Sequence, residues 1–434
     1  MSESAILELK NYGVAFGERI ILSAVNLDVP ERGIVVLLGP SGTGKSTLLR
    51  TLAGYNDANP SLRVWGEATF VGTPIGQGGE MPVLVEQKAK LMMSTVHENV
   101  IHALPERSSL DLSQQRDVVQ RLLKIAQLDH LINQLSVKVI QLPSSTQRHL
   151  SILRSVASNP KLLFVDEPTA GLSDEESAPI LQFLLEEAKR RAIIVVVHNK
   201  NHARTLGGIS TMLAGGWIHE TQNTQTFFDE PENKVVQDYV ESGSCSVPSP
   251  DTPDDYLSEE ALEIVKQRPQ LPKAAREYKS DSFGPRNFLW LQKGILAGTP
   301  RPGLVTELEY DLGALQRVGV TTLISLTQVP IAPEDLSEFN IQGISFPIKD
   351  MNVPSIDAAK ELCVQVEQLI EQGESIAYHC KAGMGRTGTM LAVQLIWQGY
   401  SAFDALETAR RTEPRWVQSE IQVDFLDAFA KSLS

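Results

Sequence analysis

One stretch of the chain has residue types suited to binding a nucleotide phosphate. Residues 39–46 read Gly-Pro-Ser-Gly-Thr-Gly-Lys-Ser and fit the pattern G-x-x-x-x-G-K-[ST]. In such a loop the glycines let backbone N–H groups close around the β-phosphate, the lysine reaches the β and γ oxygens, and the last hydroxyl holds Mg²⁺. The residues predicted to contact the nucleotide are Gly39, Ser41, Gly42, Gly44, Lys45, Ser46 and Thr47.

A second stretch has the residues for nucleophilic phosphate chemistry. Cys380 and Arg386 satisfy the spacing C-x5-R, with His379 before them and Thr387 after them. A cysteine at a strand-to-helix turn lies among inward-pointing N–H groups, which lower its pKa and make it a thiolate nucleophile. The same groups bind phosphoryl oxygens, and the arginine can hold two of them. A buried structural cysteine is the alternative, but it has no need of two glycines and an arginine on one short loop. The loop residues predicted to bind phosphate are Lys381, Ala382, Gly383, Met384 and Gly385.

Both loops need a strand before them and a helix after them. The apolar residues 35–38 predict a buried parallel strand, and residues 47–52 predict the first turns of a helix. In the same way, residues 375–379 predict a strand and residues 387–398 a helix. Further strands are predicted at 321–326 and 344–348, and further helices at 355–372 and 401–411. The pattern indicates an α/β fold class for both parts of the chain.

Length and composition limit the classes of protein. A chain of 434 residues is too long for one core, so two domains are expected. No apolar run approaches the ~20 residues that span a bilayer, and residues 1–4 lack the basic start of a signal peptide. The three cysteines, odd in number and far apart, indicate a reducing compartment. We therefore expect a cytoplasmic protein that reaches the inner face of a membrane only through a partner.

The net charge of -14 is spread along the chain and forms no basic stripe. A phosphate backbone needs such a stripe, so nucleic acid is not expected as a partner.

The composition changes between residues 241 and 284. Proline, serine and acidic residues without periodicity predict a flexible connector, with a short helix at 258–267, and Cys245 is most simply a bystander there. The predicted domains are therefore 1–240 and 285–434.

The first domain resembles the ATP-binding cassette (ABC) ATPases. The resemblance is carried by the phosphate loop, by Gln87 followed by Thr-Val-His-Glu-Asn-Val at 95–100, and by two apolar strands that end in Asp166-Glu167 and in His198. A segment at 170–174 resembles the loop that follows the two acids in this family. The resemblance implies a P-loop NTPase fold with antiparallel β and helical subdomains, the helical one at 88–141.

The family assigns roles to these positions. Mg²⁺ and ATP are the implied cofactors, with Ser46, Gln87 and Asp166 on the metal side. Glu167 is implied as the general base, and His198 as the residue that contacts the γ-phosphate. Phe16, just before a glycine, would stack on adenine, although it could simply be a core residue.

One motif departs from the family. Residues 142–154 align with L-S-G-G-Q-x-x-R and keep Leu142 and Arg154, but both glycines are missing and Pro143 lacks an N–H. Because this signature loop acts on the nucleotide of the opposite subunit, a homodimer should hydrolyse ATP poorly. We expect either a second ABC subunit with an intact signature, as a heterodimer, or slow ATP turnover that serves as a switch.

The second domain resembles the compact dual-specificity members of the protein tyrosine phosphatase superfamily, on the ten residues 379–388. The family's general acid is best matched by Asp350, in preference to Asp357. Thr387 would assist release from the phosphocysteine, and Gln422 would orient the hydrolytic water. No metal or cofactor is implied for this domain.

The phosphatase substrate is left open between phosphoserine, phosphothreonine and phosphotyrosine proteins and small phosphomonoesters. Lys381 resembles a lysine of some phosphoinositide phosphatases, but Met384 stands where a second lysine would be.

The leading interpretation is a fusion of an ABC ATPase with a cysteine-dependent phosphatase. Two alternatives remain: an ABC transporter subunit that works with a membrane permease and carries an accessory phosphatase, and an ATP-sensing regulatory protein with slow turnover.

Overall fold

The computed structural model describes residues 5–77, 79–86, 95–252, 255, 257–276 and 283–433. Gln87 lies outside the described residues. The chain divides into two compact units, Met1–Gly54 with Arg63–Tyr278, and Tyr55–Leu62 with Lys279–Ser434. Both units are α/β, as expected.

The first sheet combines antiparallel and parallel strands in the order β5-β4-β1-β2-β10-β9-β3-β8-β7-β6. Its strands are β1 (Ala5–Phe16), β2 (Arg19–Pro30), β3 (Gly33–Leu38), β4 (Leu62–Phe70), β5 (Thr73–Pro74), β6 (Val83–Val85), β7 (Leu162–Asp166), β8 (Ala192–Val196), β9 (Ile209–Ala214) and β10 (Trp217–Asn223).

The parallel part of this sheet positions the predicted chemistry. Strands β3, β6, β7, β8 and β9 run parallel, and β7 and β8 are buried along their whole length, which explains their uninterrupted apolar sequences. Leu37 and Asp166 are both registered with Val196, so the phosphate loop and the two acids leave the same edge of the sheet. Strands β1 and β2 pair antiparallel, in agreement with the implied antiparallel subdomain.

The helices of the first unit cover this sheet and form the region between β6 and β7. They are α1 (Lys45–Leu52), α2 (Val96–Ile101), α3 (Leu112–Ile125), α4 (Ser144–Ala157), α5 (Asp174–Ala188), α6 (Lys200–Leu206), α7 (Thr224–Asp229), α8 (Lys234–Ser242), α9 (Glu259–Lys266) and α10 (Lys273–Arg276). Capping boxes begin α2, α3 and α5, each with a side chain that accepts from the third helical N–H.

The chain after α8 packs against the first unit. We call residues 244–250 the strap. In the strap, Cys245 and Val247 pack against the main apolar core, and Arg268 donates to the carbonyl of Pro250 at 2.8 Å. Helix α9 is close to the predicted 258–267. The predicted boundaries at 240 and 285 remain predictions.

The second sheet has the order β11-β12-β15-β13-β14, with β11 antiparallel and the others parallel. Its strands are β11 (Leu289–Gln292), β12 (Leu296–Pro300), β13 (Thr322–Ser325), β14 (Gln342–Ser345) and β15 (Ile376–Cys380). Its helices are α11 (Leu308–Arg317), α12 (Pro333–Ser337), α13 (Ile356–Glu371), α14 (Gly385–Trp397), α15 (Ala402–Thr412) and α16 (Glu420–Lys431).

The strand that ends at Cys380 is central in this sheet, and α14, which follows it, is buried along almost its whole length. Gln422, the residue implied to orient the hydrolytic water, lies in the first turn of α16, where Ser419 and Gln422 form a capping box.

No helix in the described ranges is long and apolar enough to cross a membrane.

Candidate functional site

The loop between β3 and α1 requires glycine at two positions. Gly39 has φ 142°, and a Cβ there would lie 2.1 Å from the carbonyl oxygen of Leu213. Gly44 has φ 97°, and a Cβ there would lie 2.8 Å from the side chain of Leu22. These contacts explain the sequence pattern, since only glycine combines a positive φ with so close an approach.

The backbone N–H groups from Ser41 to Thr47 have no acceptor among the described residues. They come immediately before and within the first turn of α1, where the helix dipole adds positive potential. The loop is therefore built to receive an anion, and the predicted residues of this loop are brought together.

Lys45 is buried beside this loop. Its ammonium donates to the carbonyls of Gly39 and Pro40, both at 2.7 Å. Burial lowers its pKa to about 8, although Glu167 and Asp166 pull in the opposite direction. The lysine must exchange these two carbonyl partners for phosphate oxygens when a nucleotide binds.

Gly39 has a second partner that the sequence did not indicate. Tyr239 of α8 is buried, and its phenol oxygen accepts from the Gly39 N–H, a contact that opposes the rise of the Tyr239 pKa caused by burial. The end of the first domain is thus bonded directly to the nucleotide loop.

Asp166 and Ser46 fit a divalent cation. The Ser46 hydroxyl bonds to Asp166, and burial raises the pKa of this carboxyl. Its Oδ1 is buried without a hydrogen-bond partner in the described part of the chain. A carboxylate and a hydroxyl are the hard oxygen donors that Mg²⁺ prefers, and an orphaned carboxylate oxygen provides a place for it.

Glu167 and His198 meet beside this pair. Glu167 Oε1 and His198 Nε2 are 2.6 Å apart, and both side chains remain partly accessible. Glu167 has φ 50°, an unusual conformation for a residue with a side chain, and its N–H donates to the Val196 carbonyl at 3.0 Å. This turn directs the carboxylate toward the end of β8. The predicted base and the predicted histidine are therefore adjacent.

The degenerate signature lies at the start of α4. Pro143 is the N-cap residue, and no side chain caps the helix. Ser145 bonds to Glu176 of α5, and Arg148 donates to the carbonyls of Pro168 and Ala170 in the loop after Glu167. Arg148 was not predicted, because only the fold brings α4 against that loop.

Phe16 ends β1 and is half-buried. It is not a fully enclosed core side chain, and its stacking role stays a prediction.

The loop between β15 and α14 has the same features as the loop between β3 and α1. The backbone N–H groups from Lys381 to Thr387 have no acceptor among the described residues, and α14 begins at Gly385. Cys380, 3% exposed, ends the central strand at the base of this loop. Lys381 and Ala382 are exposed, whereas Gly383 and Gly385 are buried. The arrangement can hold an oxyanion directly above the thiol.

Arg386 and Asp350 form an ion pair at this loop. Arg386 Nη2 lies 2.8 Å from Asp350 Oδ1, and Nη1 donates to the carbonyl of Ile348 at 3.0 Å. Asp350 is largely exposed while Arg386 is buried. Asp357 lies instead in the first turn of α13. The structure thus places Asp350 beside Arg386, and its catalytic role stays a prediction.

Three buried polar atoms near the loop have no partner in the described part of the chain. They are Thr387 Oγ1, Gln422 Nε2 and His379 Nε2. The Gln422 amide lies against the loop, because a Cβ built on Gly385 would be 3.1 Å from Nε2. Thr387, predicted to assist phosphocysteine release, and Gln422, predicted to orient water, therefore each have a buried polar atom that makes no hydrogen bond among the described residues.

His379 is kept neutral. Burial lowers its pKa to about 4, and the cations Arg301 and Arg386 act in the same direction. A neutral imidazole beside Cys380 cannot serve as an ion-pair partner.

Arg301 was not identified as a site residue from the sequence. Its N–H donates to the Lys381 carbonyl at 3.2 Å, and its guanidinium donates to Thr327 at 2.8 Å. It joins the ends of β12, β13 and β15. A single arginine at a strand end gave no signal of this.

Two family models match the chain. One described as ABC transporter matches residues 22–170, and one described as polymorphic toxin system, DSP-PTPase phosphatase, matches residues 297–400. Both resemblances expected from the sequence are thereby confirmed at the level of the family.

Individual relatives match the first unit. Phosphate import ATP-binding protein PstB 3 of Natronomonas pharaonis is 30% identical over 246 residues, covering 55% of this chain and 89% of that protein. PstB 2 of Shouchella clausii is 30% identical over 244 residues, covering 54% and 90%. A dimeric post-hydrolysis state of the ATP-binding cassette MJ0796, bound to ADP and Pi, is 26% identical with a TM-score of 0.43, covering 50% of this chain and 98% of its own. Because the sequence relatives are matched over nearly their full length, this chain belongs, through its first unit, to the family of ABC transporter ATP-binding proteins.

Proposed function

We propose that the protein is bifunctional, an ABC-type ATPase joined to a cysteine-dependent phosphomonoester phosphatase. One observation carries the proposal: two strand-to-helix loops each present a run of N–H groups that have no acceptor among the described residues, and each run lies beside a buried cation and a reactive side chain. In the first loop these are Lys45 and Glu167. In the second they are Arg386 and Cys380.

In the first unit, the loop N–H groups and Lys45 hold the phosphates of ATP. Ser46, Asp166 and Gln87 would hold Mg²⁺, which supplies charge neutralisation at the β and γ oxygens when it is bound. Glu167 accepts a proton from the attacking water, and its 2.6 Å contact with His198 orients the carboxylate.

In the second unit, the loop N–H groups and Arg386 hold the phosphoryl oxygens of the substrate. The Cys380 thiolate forms an S–P bond as the P–O bond to the leaving group breaks, and Asp350 donates its proton to the leaving oxygen. Water held by Gln422 then attacks phosphorus, Asp350 takes up a proton, Thr387 assists the departing sulfur, and inorganic phosphate leaves. Asp350 must release Arg386 before a substrate dianion can bind there.

The proposed substrates are phosphoserine, phosphothreonine or phosphotyrosine proteins, or small phosphomonoesters. The loop supplies only Lys381 as an additional exposed cation.

A transporter role is the second candidate, and a specific observation favours it. Two of the sequence relatives are named phosphate import ATP-binding proteins. In that role the chain would pair with a second ABC subunit and bind a membrane permease from the cytoplasmic face. Co-purification with a permease would support it.

The altered signature favours slow ATP turnover by this chain alone. Pro143 caps α4 without a side-chain bond, and neither family glycine is present. Purified chain should hydrolyse ATP far below the ~10 s⁻¹ typical of enzymes, and adding a subunit with an intact signature should raise the rate. A rate near 10 s⁻¹ for the chain alone would refute this point.

The phosphatase proposal is tested by trapping the intermediate. Wild-type chain mixed with p-nitrophenyl phosphate and quenched in acid should carry phosphate on Cys380, as detected by peptide mass spectrometry. The matched control is Cys245→Ser, which removes a thiol of the other unit and should trap normally. Turnover that persists in Cys380→Ser would exclude the cysteine mechanism.

A further inference from the structure

Trp416 contacts the loop between β15 and α14, which is the proposed phosphate loop of the second unit. It lies between α15 and α16, is almost completely buried, and donates its indole Nε1–H to the Gly383 carbonyl at 2.9 Å. We propose that Trp416 is a positioning residue of the phosphatase site, which fixes the orientation of a loop peptide and the position of Gln422. This inference rests on the proposed function of the second unit.

The first step concerns the peptide between Gly383 and Met384. In a trans peptide the C=O and the following N–H point in opposite directions. When Trp416 holds the Gly383 carbonyl, the Met384 N–H is directed away from Trp416, and this N–H has no protein acceptor in the described ranges. Without the indole donor, this peptide could rotate and direct its carbonyl toward the anion.

Gly383 also packs closely against the end of β12. Gly383 has φ 71°, and a Cβ there would lie 2.6 Å from Pro300 N and from Thr299 C. The peptide is therefore confined between a strand end and the indole. A carbonyl confined in this way needs its hydrogen bond, because a buried acceptor without a partner is costly.

The Trp416 side chain packs directly against two glycines, Gly388 and Gly298. A Cβ at Gly388 of α14 would lie 2.3 Å from Trp416 Cβ, and one at Gly298 of β12 would lie 2.7 Å from Trp416 Cζ2. Neither glycine has a positive φ. Close approach of the indole, and not backbone conformation, accounts for both of them.

The segment that carries Trp416 also carries the predicted water-orienting residue. Arg410 donates to the carbonyls of Trp416 at 3.3 Å and Val417 at 2.7 Å. In the same segment, Gln422 Oε1 accepts from the N–H of Gln418, four residues before it, at 2.9 Å. Trp416 therefore links the phosphate loop to the segment that places Gln422.

A purely structural tryptophan predicts a different phenotype. It would lower stability when it is replaced, and the active fraction would keep its affinity for oxyanions. A positioning role instead predicts a specific loss of oxyanion affinity, since the loop N–H groups are no longer aligned.

The test compares Trp416→Phe with Trp397→Phe in the full chain. Trp397 is the matched control, because its indole also donates one hydrogen bond, to Glu367 at 3.0 Å, but at the surface. Two quantities are measured: tungstate affinity by calorimetry, and kcat and KM for p-nitrophenyl phosphate. We expect Trp416→Phe to weaken tungstate binding about tenfold and to lower kcat/KM about tenfold, mainly through KM, and Trp397→Phe to change neither.

A second variant guards against loss of folding. Benzothienylalanine at position 416 keeps the ring shape and removes only the N–H donor, so it should reproduce the tenfold losses with the melting temperature little changed. Wild-type tungstate affinity and kcat/KM in either variant would overturn the inference and leave the phosphatase proposal standing. If the wild-type chain binds tungstate but hydrolyses no p-nitrophenyl phosphate, the phosphatase proposal is refuted, and the tungstate affinities of the variants still decide whether Trp416 positions the loop. If the wild-type chain neither binds tungstate nor hydrolyses p-nitrophenyl phosphate, both the phosphatase proposal and the inference about Trp416 are refuted.

Discussion

At the scale of residues, the proposed phosphatase chemistry depends on which carboxyl protonates the leaving group. Asp350 contacts Arg386, whereas Asp357 lies in the first turn of α13. We expect Asp350→Asn to lower kcat for phenyl phosphate about 100-fold, with a smaller loss for p-nitrophenyl phosphate, whose leaving group needs less protonation. Asp357→Asn is the control and should keep wild-type kcat. Equal losses in the two variants would contradict the assignment of Asp350.

His379 makes the second residue-scale prediction, which concerns pH. Its pKa is about 4 in the folded chain, below the 6.5 of an ordinary histidine. As pH falls from about 6.5 toward about 4, the unfolded chain takes up a proton that the folded chain does not, so acidification destabilises the fold. At about pH 5 this proton uptake lowers the free energy of unfolding by about 2 kcal/mol relative to neutral pH.

The check is denaturant unfolding of wild type and His379→Asn at about pH 7 and about pH 5. The variant should lose about 2 kcal/mol less on acidification, because it has no imidazole at this position. An identical loss in both proteins would show that His379 titrates normally in the folded chain.

At the scale of elements, the strap makes a prediction about the connector. A Cβ at Gly215 would lie 2.4 Å from Val247 Cγ1, and one at Gly216 would lie 2.4 Å from Pro250 Cγ. The strap can therefore pack against the turn between β9 and β10 only because this turn consists of two glycines. Burial also raises the pKa of Cys245 to about 11, which makes this thiol unreactive while the strap is seated.

We expect Gly215→Ala to displace the strap and to raise the rate of Cys245 alkylation by iodoacetamide several-fold. Gly243→Ala is the matched control, since Gly243 also has a positive φ but no atom of the described residues lies within 4 Å of its Cβ position. If both variants are alkylated at the wild-type rate, the strap is not held at this turn.

These elements also show what a sequence can predict. Strands β7, β8 and β15, which lead to Asp166, His198 and Cys380, were predicted, because buried parallel strands are rich in apolar residues and end where polar residues begin. Gly39 and Gly44 were identified because a motif fixes their spacing.

The residues that were missed act across long sequence separations. Tyr239 bonds to Gly39, Arg148 to the loop after Glu167, and Trp416 to Gly383. None has a local pattern that distinguishes it from an ordinary aromatic or surface arginine, and only the packing of distant elements gives each its partner. The packing of the strap was missed for the same reason, since its composition indicates only a connector.

At the scale of the whole molecule, we expect the nucleotide to influence the phosphatase. The Gly39 carbonyl accepts from Lys45 and the Gly39 N–H donates to Tyr239, and α8, which carries Tyr239, leads into the strap and the connector. Glu167→Gln should hold ATP without hydrolysing it. Mg-ATP should then change its p-nitrophenyl phosphate rate several-fold, with Cys380→Ser as the blank. An unchanged rate would mean that the two modules act independently and would favour the transporter role.

The measurement that tests the central claim most directly is a cross-inactivation of the two sites. ATP hydrolysis and p-nitrophenyl phosphate hydrolysis are both measured for the full-length wild type, Lys45→Ala and Cys380→Ser. We predict that Lys45→Ala abolishes ATP hydrolysis and retains phosphatase activity, and that Cys380→Ser does the reverse. Phosphatase activity that survives Cys380→Ser, or ATP hydrolysis that survives Lys45→Ala, would contradict the proposal that this chain carries two distinct catalytic phosphate sites.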